Sequence, residues 1–142
     1  MEQLNIEDFL CSESDVYDKP IRLIELFAGY GSQAMALRNI GADFETYRMI
    51  EFDKYAVDSY NAVHGTSFVT TDIRNVTGKD LDVIDTDKFT YIMTYSFPCQ
   101  DISIAGLRKG FDKDSNTRSS LLWEVERILC ELNNGGGCLN CY

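Results

Sequence analysis

Hydrophobic residues gather into four short runs that predict the strands of a sheet. Residues 21–27 form an apolar run typical of a buried strand, and residues 44–50 form a second run of similar character. A shorter third strand is predicted at residues 67–71, and a fourth at residues 89–95, which are rich in β-branched and aromatic side chains. Glycine, asparagine or aspartate lies near the ends of most of these runs, as strand boundaries require.

Helical spacing of apolar residues fills the intervals between the predicted strands. Ser32 can cap a helix that ends before Gly41, and Asp53 can cap a second helix running to about residue 62. After a predicted loop at residues 96–116, an amphipathic helix is expected from residue 117 or 118 onward. The apolar faces consist of Ala56, Val57 and Tyr60 in the second helix and of Leu121, Leu122, Val125, Ile128 and Leu129 in the last.

This alternation of strands and helices predicts an α/β fold with a mostly parallel, doubly wound, Rossmann-like sheet. Sheets of this kind bind ligands beyond the carboxyl ends of their strands. We expect residues 1–19 to form a weakly ordered leader and residues 20–132 to form one domain. Residues 133–142, which contain a glycine run, are expected to be a tail outside the domain, and residues 75–88 to be irregular.

Composition narrows the class of protein. The chain has 142 residues and a net charge of −10, and it contains no apolar run long enough to span a membrane. Its acidic first twenty residues are unlike a signal peptide, so we expect a cytoplasmic protein. A negative charge opposes binding to nucleic acid phosphates. Four basic residues could form a local patch or could be ordinary solvated charges: Arg108, Lys109, Lys113 and Arg118.

The five cysteines do not suggest a disulfide framework, because an odd number in a cytosolic chain leaves at least one unpaired. Cys138 and Cys141 have the spacing of a pair of zinc ligands. A structural zinc site needs two further well-spaced ligands, and the sequence offers none. We therefore expect no metal.

Polar and glycine residues at the strand ends suggest a nucleotide-type site. Gly29 and Gly31 lie between the first strand and the first helix, where they form either a plain tight turn or a loop that approaches a ligand closely. Glu51 ends the second strand and could accept hydrogen bonds from ribose hydroxyls. Asp72 could accept a bond from an adenine amino group, and Ile73 beside it would provide an apolar wall.

Cys99 is a candidate nucleophile, because it directly follows the fourth predicted strand. Pro98 restricts the conformation of the loop that would present the thiol. The alternative is that Cys99 is a small buried apolar residue, as many lone cysteines are. A reactive role would require deprotonation of the thiol.

Several motifs, in this order and at these spacings, resemble the DNA cytosine-5 methyltransferase family over about residues 21–132. The segment after the predicted nucleophile and the start of the following helix are also similar to the family. The motifs are Phe27-Ala28-Gly29-Tyr30-Gly31, Glu51-Phe52-Asp53-Lys54-Tyr55, Asp72-Ile73, Ser96-Phe97-Pro98-Cys99-Gln100, the stretch at residues 102–111, and Thr117-Arg118-Ser119-Ser120-Leu121.

The resemblance implies that S-adenosylmethionine is the cofactor and that a cytosine flipped out of duplex DNA is the substrate. Cys99 would attack C6 of that cytosine, and C5 would then take the methyl group. By the same resemblance, Phe27 would stack on adenine, Phe52 would pack against it, and Asp72 and Ile73 would contact the base. Glu51 would bind the ribose beside a loop at Gly29 and Gly31. Pro98 and Leu121 would line the cofactor pocket. The implied DNA-side loop contains Gln100, Ser103 and Gly110. A bacterial or phage-type restriction–modification enzyme, associated with the nucleoid, is the corresponding expectation.

The 142 residues contain neither the family's Glu-Asn-Val segment nor its Arg-x-Arg segment, recognition domain or final cofactor-binding segment. The hypothesis that follows is a truncated enzyme with little or no activity alone. Three alternatives stay open: a non-catalytic S-adenosylmethionine-binding remnant, one half of a split enzyme completed by a second polypeptide, and an RNA-directed relative. An incomplete sheet would expose an edge at the first or fourth predicted strand and would favour self-association.

Overall fold

Three parallel strands form the sheet of the computed structural model, which describes residues 19–96 and 121–134. They are β1 (Ile21–Leu26), β2 (Phe44–Ile50) and β3 (Thr90–Tyr95), in the order β2-β1-β3. The helices are α1 (Ser32–Asn39), α2 (Lys54–His64) and α3 (Leu122–Asn134). The parallel register and the helical crossovers confirm the predicted α/β Rossmann-like fold.

The helix boundaries follow from caps that the sequence predicted only in part. Asp53 caps α2 as expected, because its carboxylate accepts bonds from the backbone N–H groups of Tyr55 at 2.8 Å and Ala56 at 3.1 Å. The prediction for Ser32 was wrong. Ser32 is already the first helical residue of α1, its hydroxyl donates to Gln33, and the capping position is taken by Gly31 in a left-handed conformation.

The predicted third strand at residues 67–71 is absent. Its polar backbone groups find other partners, since the Asn61 side chain accepts from Phe68 N–H and donates to Phe68 O, each at 2.9 Å. One ladder-like bond remains, from Thr71 N–H to Glu51 O at 2.7 Å. Residues 75–88, expected to be irregular, overlap two short 3₁₀ turns, Ile73–Asn75 and Gly78–Leu81.

The core lies on both faces of β1, the central strand. On one face, Ile24 and Leu26 pack with Val125 and Ile128 of α3. On the other face, a smaller cluster joins the sheet to α2, and its members are Ala28, Met49, Val57 and Tyr60. The amphipathic pattern predicted for the last helix is therefore confirmed over its described part, and α3 continues to Asn134.

Within the described ranges, both edge strands of the sheet, β2 and β3, pair with β1 alone. No residue of β3 is fully buried, and its outer side pairs with no strand among residues 19–96 and 121–134. This confirms the open edge expected at the fourth predicted strand. The first predicted strand, which was the alternative, lies instead at the centre of the sheet. No helix in the described part of the chain is long and apolar enough to cross a membrane.

Candidate functional site

The loop that follows β1 is held in an unusual backbone conformation. Phe27, Gly29 and Gly31 all have positive φ, at 57°, 56° and 82° respectively. Such a conformation is unfavourable for a phenylalanine and persists only where surrounding contacts enforce it. One of these contacts is the 2.8 Å bond from Phe27 N–H to Ile50 O at the end of β2. The sequence predicted a tight turn here, but not the left-handed Phe27.

The Glu51 carboxylate connects the end of β2 to this loop. Its Oε2 accepts a bond from Gly29 N–H at 3.0 Å, and its Oε1 accepts from Phe52 N–H at 2.8 Å and Asp53 N–H at 2.9 Å. A carboxylate has about four acceptor positions, so the three bonds leave capacity on Oε2 for one further donor. The structure thus brings Glu51 and Gly29, two residues proposed from sequence, into direct contact.

The two glycines of the loop are needed for different reasons. A Cβ on Gly29 would meet nothing within 4 Å, so the space beside this residue is open. A Cβ on Gly31 would lie 2.3 Å from Nε2 of His64 and 2.6 Å from the Tyr60 ring. Gly31 therefore allows close approach to the protein's own side chains, whereas Gly29 leaves room that a ligand could use.

Asp72 and Ile73 have partners within the protein. Both Asp72 oxygens are bound by the Arg74 guanidinium, with the shortest contact at 2.6 Å, and hydrogen bonding to Arg74 lowers the pKa of the Asp72 carboxyl. Ile73 is buried in the main core. An adenine amino group would have to share the Asp72 carboxylate with Arg74.

Three further cofactor candidates in the described ranges differ in exposure. Phe52 follows the end of β2, and 71% of its surface is exposed, so its ring is free to pack against a ligand. Leu121 lies just before α3 and packs, half-buried, against the main core. Phe27 is also half-buried against that core.

Arg127 of α3 fixes the 3₁₀ turn that begins at Ile73, a role that the sequence did not reveal. Its guanidinium donates to Ile73 O at 3.1 Å and to Val76 O at 2.8 Å. Glu131, paired with Arg127, accepts a 2.6 Å bond from Gly78 N–H. The position of the Asp72-Ile73 segment thus depends on α3, more than fifty residues later in the chain.

Replacing Arg127 by methionine should lower the free energy of unfolding by about 2 kcal/mol, because Ile73 O and Val76 O both lose the guanidinium donor, although Ile73 O keeps its bond from Val76 N–H. The methionine keeps an apolar stem of similar length, so packing changes little. Urea unfolding of the purified protein measures the effect. Lys54→Met is the matched control, since Lys54 is exposed and, among residues 19–96 and 121–134, pairs only with Asp58. Its replacement should lower the free energy of unfolding by no more than about 0.5 kcal/mol. Equal losses in the two variants would contradict the role of Arg127.

A buried acid lies beneath the loop. Glu25 on β1 is 1% exposed and accepts a hydrogen bond from the Tyr60 hydroxyl. Burial raises the pKa of Glu25, although the Tyr60 bond opposes the shift, and burial together with Glu25 raises the pKa of Tyr60. In the sequence, this buried acid is marked only by an acidic residue within an otherwise apolar strand.

The remaining predicted site residues lie outside the described ranges: Pro98, Cys99, Gln100, Ser103 and Gly110. Ser96, the last described residue before this gap, lies at the carboxyl edge of the sheet. Ser96 N–H donates to Leu26 O at 3.3 Å, and Gln33 of α1 donates to the Ser96 hydroxyl at 3.4 Å. The described residues contain no cluster of three or more potential metal ligands.

Comparisons with known proteins bear on the family and the fold of the chain. Residues 21–134 match the model of a family described as C-5 cytosine-specific DNA methylase. The chain is 40% identical over 108 residues to the type II methyltransferase M.NlaX of Neisseria lactamica, covering 76% of this chain and 32% of that protein. It is 39% identical over 124 residues to the orphan methyltransferase M.SPBetaI of Bacillus phage SPbeta, covering 85% of this chain and 26% of the relative.

A solved structure shows the same fold. The Dnmt2 methyltransferase of S. pombe superposes with a TM-score of 0.57 at 25% identity, covering 80% of this chain and 30% of that one. The chain thus spans about a third or less of the length of these three proteins. The strand-end motifs, the parallel sheet and these matches together lead to one conclusion: the chain belongs to the C-5 cytosine-specific DNA methylase family.

Proposed function

We propose that residues 21–134 bind S-adenosylmethionine at the carboxyl edge of the sheet and supply the cofactor site and the nucleophile of a DNA cytosine-5 methyltransferase. The observation that carries the proposal is the Glu51 carboxylate, which holds Gly29 N–H at 3.0 Å. It keeps acceptor capacity for a ribose hydroxyl. Charged acceptors form stronger hydrogen bonds than neutral ones, so this one group both orders the loop and recognises the sugar.

The surroundings of Glu51 fit a nucleoside. Gly29, which donates to the carboxylate, has open space beside it, and the adjacent Phe52 exposes its ring. Phe27 and Phe52 are assigned to packing against adenine, and Ile73 and Leu121 to the apolar wall. Because Ile73 is 3% exposed, its contribution is to shape the wall from within the core. Asp72 is assigned to the adenine amino group, which would share the Asp72 carboxylate with Arg74.

The chemistry that we assign to Cys99 is a temporary covalent bond to the substrate base. The thiolate adds to C6 of the cytosine, which makes C5 nucleophilic, and C5 then takes the methyl group that S-adenosylmethionine supplies. Loss of the C5 proton and departure of the thiolate restore the aromatic ring. A covalent step of this kind divides one difficult reaction into easier ones. Pro98 is assigned to the cofactor pocket, and Gln100, Ser103 and the stretch to Gly110 to closure over DNA.

The charge of the chain bears on the DNA partner. With a net charge of −10, the chain offers little net attraction for phosphate groups. We therefore assign to it the cofactor and the reacting base, and not the main contacts to the DNA backbone. The match covers 32% of one relative and 26% of the other, so further contacts would come from the part that this chain does not match.

Isothermal calorimetry with S-adenosylhomocysteine tests the cofactor site. The purified protein should bind this ligand, and Glu51→Gln should weaken binding by about tenfold or more, because a bond to a charged acceptor contributes about 1.5–3 kcal/mol. The amide nitrogen of glutamine would also face backbone N–H donors, which disturbs the loop.

Glu45→Gln is the matched control for this measurement. Glu45 lies near the start of β2, at the opposite end from Glu51, and pairs with Arg22. Its replacement should leave the affinity unchanged. Absence of binding by the unmodified protein, or equal affinities for the Glu51 and Glu45 variants, would refute the proposed site.

A further inference from the structure

His64, the last residue of α2, contacts the loop at residues 27–31, which we call the cofactor loop. Its Nε2 lies 3.0 Å from the carbonyl oxygen of Tyr30, which stands between the two glycines of the loop. Its Nδ1 lies 2.9 Å from a guanidinium nitrogen of Arg38 on α1. The imidazole ring also packs against the Tyr60 ring, with 4.4 Å between the ring centroids.

These two partners determine the proton position on His64. A guanidinium can only donate hydrogen bonds, so Nδ1 must accept. A backbone carbonyl can only accept, so Nε2 must carry the proton and donate to Tyr30 O. Both contacts are satisfied only by the neutral imidazole with its proton on Nε2, and Arg38 thus selects the form that binds the loop.

His64 and Tyr60 together form a floor beneath the loop. Gly31 approaches them so closely that an added Cβ would lie 2.3 Å from His64 and 2.6 Å from Tyr60. Tyr60 is fully buried, and its hydroxyl is held by Glu25. At the other glycine, Glu51 holds Gly29 N–H. The loop is therefore held at Gly29 by Glu51 and at Gly31 by this floor.

We propose that His64 is a positioning residue for the cofactor loop, acting through its hydrogen bond to the Tyr30 carbonyl. The inference rests on the proposed function, because it concerns the loop that would receive S-adenosylmethionine. His64 does not touch the cofactor in this scheme. It orients the peptide groups between Gly29 and Gly31, and so the open face that the loop presents beside Gly29.

Two amide substitutions separate the two contacts of His64. In His64→Gln, the side-chain amide nitrogen reaches the position of Nε2 and can donate to Tyr30 O. In His64→Asn, the shorter side chain places its oxygen near Nδ1, where it can accept from Arg38 but cannot reach Tyr30. Both variants carry the same functional group, so they differ chiefly in which partner they keep.

Calorimetry with S-adenosylhomocysteine should show affinity near that of the unmodified protein for His64→Gln. We expect roughly two- to tenfold weaker binding for His64→Asn, the range that loss of one neutral hydrogen bond produces. Thermal unfolding of both variants controls for general destabilisation, and their midpoints should be similar. Equal affinities in the two variants, whether both are normal or both are weakened, would overturn the positioning role.

Amide hydrogen exchange gives a second measurement that needs no ligand. The N–H groups of Gly29 and Gly31 are bonded to Glu51 and to Ala28 O, and they should exchange faster in His64→Asn than in His64→Gln. If the unmodified protein binds no S-adenosylhomocysteine but exchange still differs in this way, the proposed function fails and the role of His64 stands. If the unmodified protein binds S-adenosylhomocysteine but amide exchange at Gly29 and Gly31 is the same in both variants, the role proposed for His64 is wrong.

Discussion

Replacing Gly31 by alanine should destabilise the protein by about 3 kcal/mol or more and remove binding of S-adenosylhomocysteine. Two costs combine. The residue has a φ of 82°, which costs an L-residue about 1–2 kcal/mol. The new methyl group would also lie 2.3 Å from His64 and 2.6 Å from Tyr60, and such overpacking costs about 1–3 kcal/mol. Neither neighbour can easily move, since Glu25 holds Tyr60 while Arg38 and Tyr30 hold His64.

Gly29→Ala is the matched control for this prediction. Gly29 has a φ of 56°, and a Cβ there would meet nothing within 4 Å. It should therefore lose only about 1 kcal/mol, the conformational cost alone. Urea unfolding, fitted with the same m-value for both variants, measures the two losses in the free energy of unfolding. Equal losses would mean that the floor beneath Gly31 does not restrict the loop.

Replacing Cys99 by alanine should reduce methyl transfer to background, because no other group on the chain would form the bond to C6 of cytosine. The measurement needs an enzyme of full length. A chimaera in which residues 21–134 replace the matching segment of the Neisseria lactamica methyltransferase, 40% identical over 108 residues, provides one. Transfer of a radiolabelled methyl group to duplex DNA is the readout.

Cys130→Ala serves as the control in the same chimaera. Cys130 is an exposed cysteine on α3, so its removal tests whether loss of any thiol lowers the activity. We expect it to leave labelling unchanged. Labelling that persists in the Cys99→Ala chimaera would show that Cys99 is not the nucleophile and would favour the alternative of a small buried side chain.

The stability and binding predictions concern the same loop for a physical reason. Phe27 and both glycines adopt positive φ, and the loop keeps this conformation only through contacts from β2 and α2. A backbone held in this way is ordered before a ligand arrives, so less conformational entropy is lost on binding. Changes that release the loop should therefore lower affinity even where they remove no contact to the ligand.

Much of the site could be predicted from sequence because a parallel sheet makes it regular. Once the runs at residues 21–27 and 44–50 are taken as parallel strands, the residues after them must meet at one edge. That argument alone brings Glu51 to the glycine loop, and the 3.0 Å bond to Gly29 confirms it. Asp53 as a helix cap was predictable for a similar reason, since capping depends on local spacing.

The failures have an equally physical cause. Residues 67–71 have the composition of a strand, but composition cannot show that the Asn61 side chain takes up the Phe68 backbone. Ser32 is a good capping residue by type, yet the left-handed Gly31 occupies the cap. In both cases a neighbour's geometry, and not the residue's own preference, decided the result.

By itself, the sequence determined the fold class and the positions of Gly29, Gly31 and Glu51 at strand ends, because these depend on periodicity and spacing along the chain. Its motifs also indicated the family, through a resemblance. Only the tertiary structure decided what surrounds them. The His64 floor beneath Gly31, the Arg74 partner of Asp72 and the hold of Arg127 on the Ile73 turn depend on side-chain geometry. Two of these three join residues more than thirty positions apart, which no local pattern along the chain encodes.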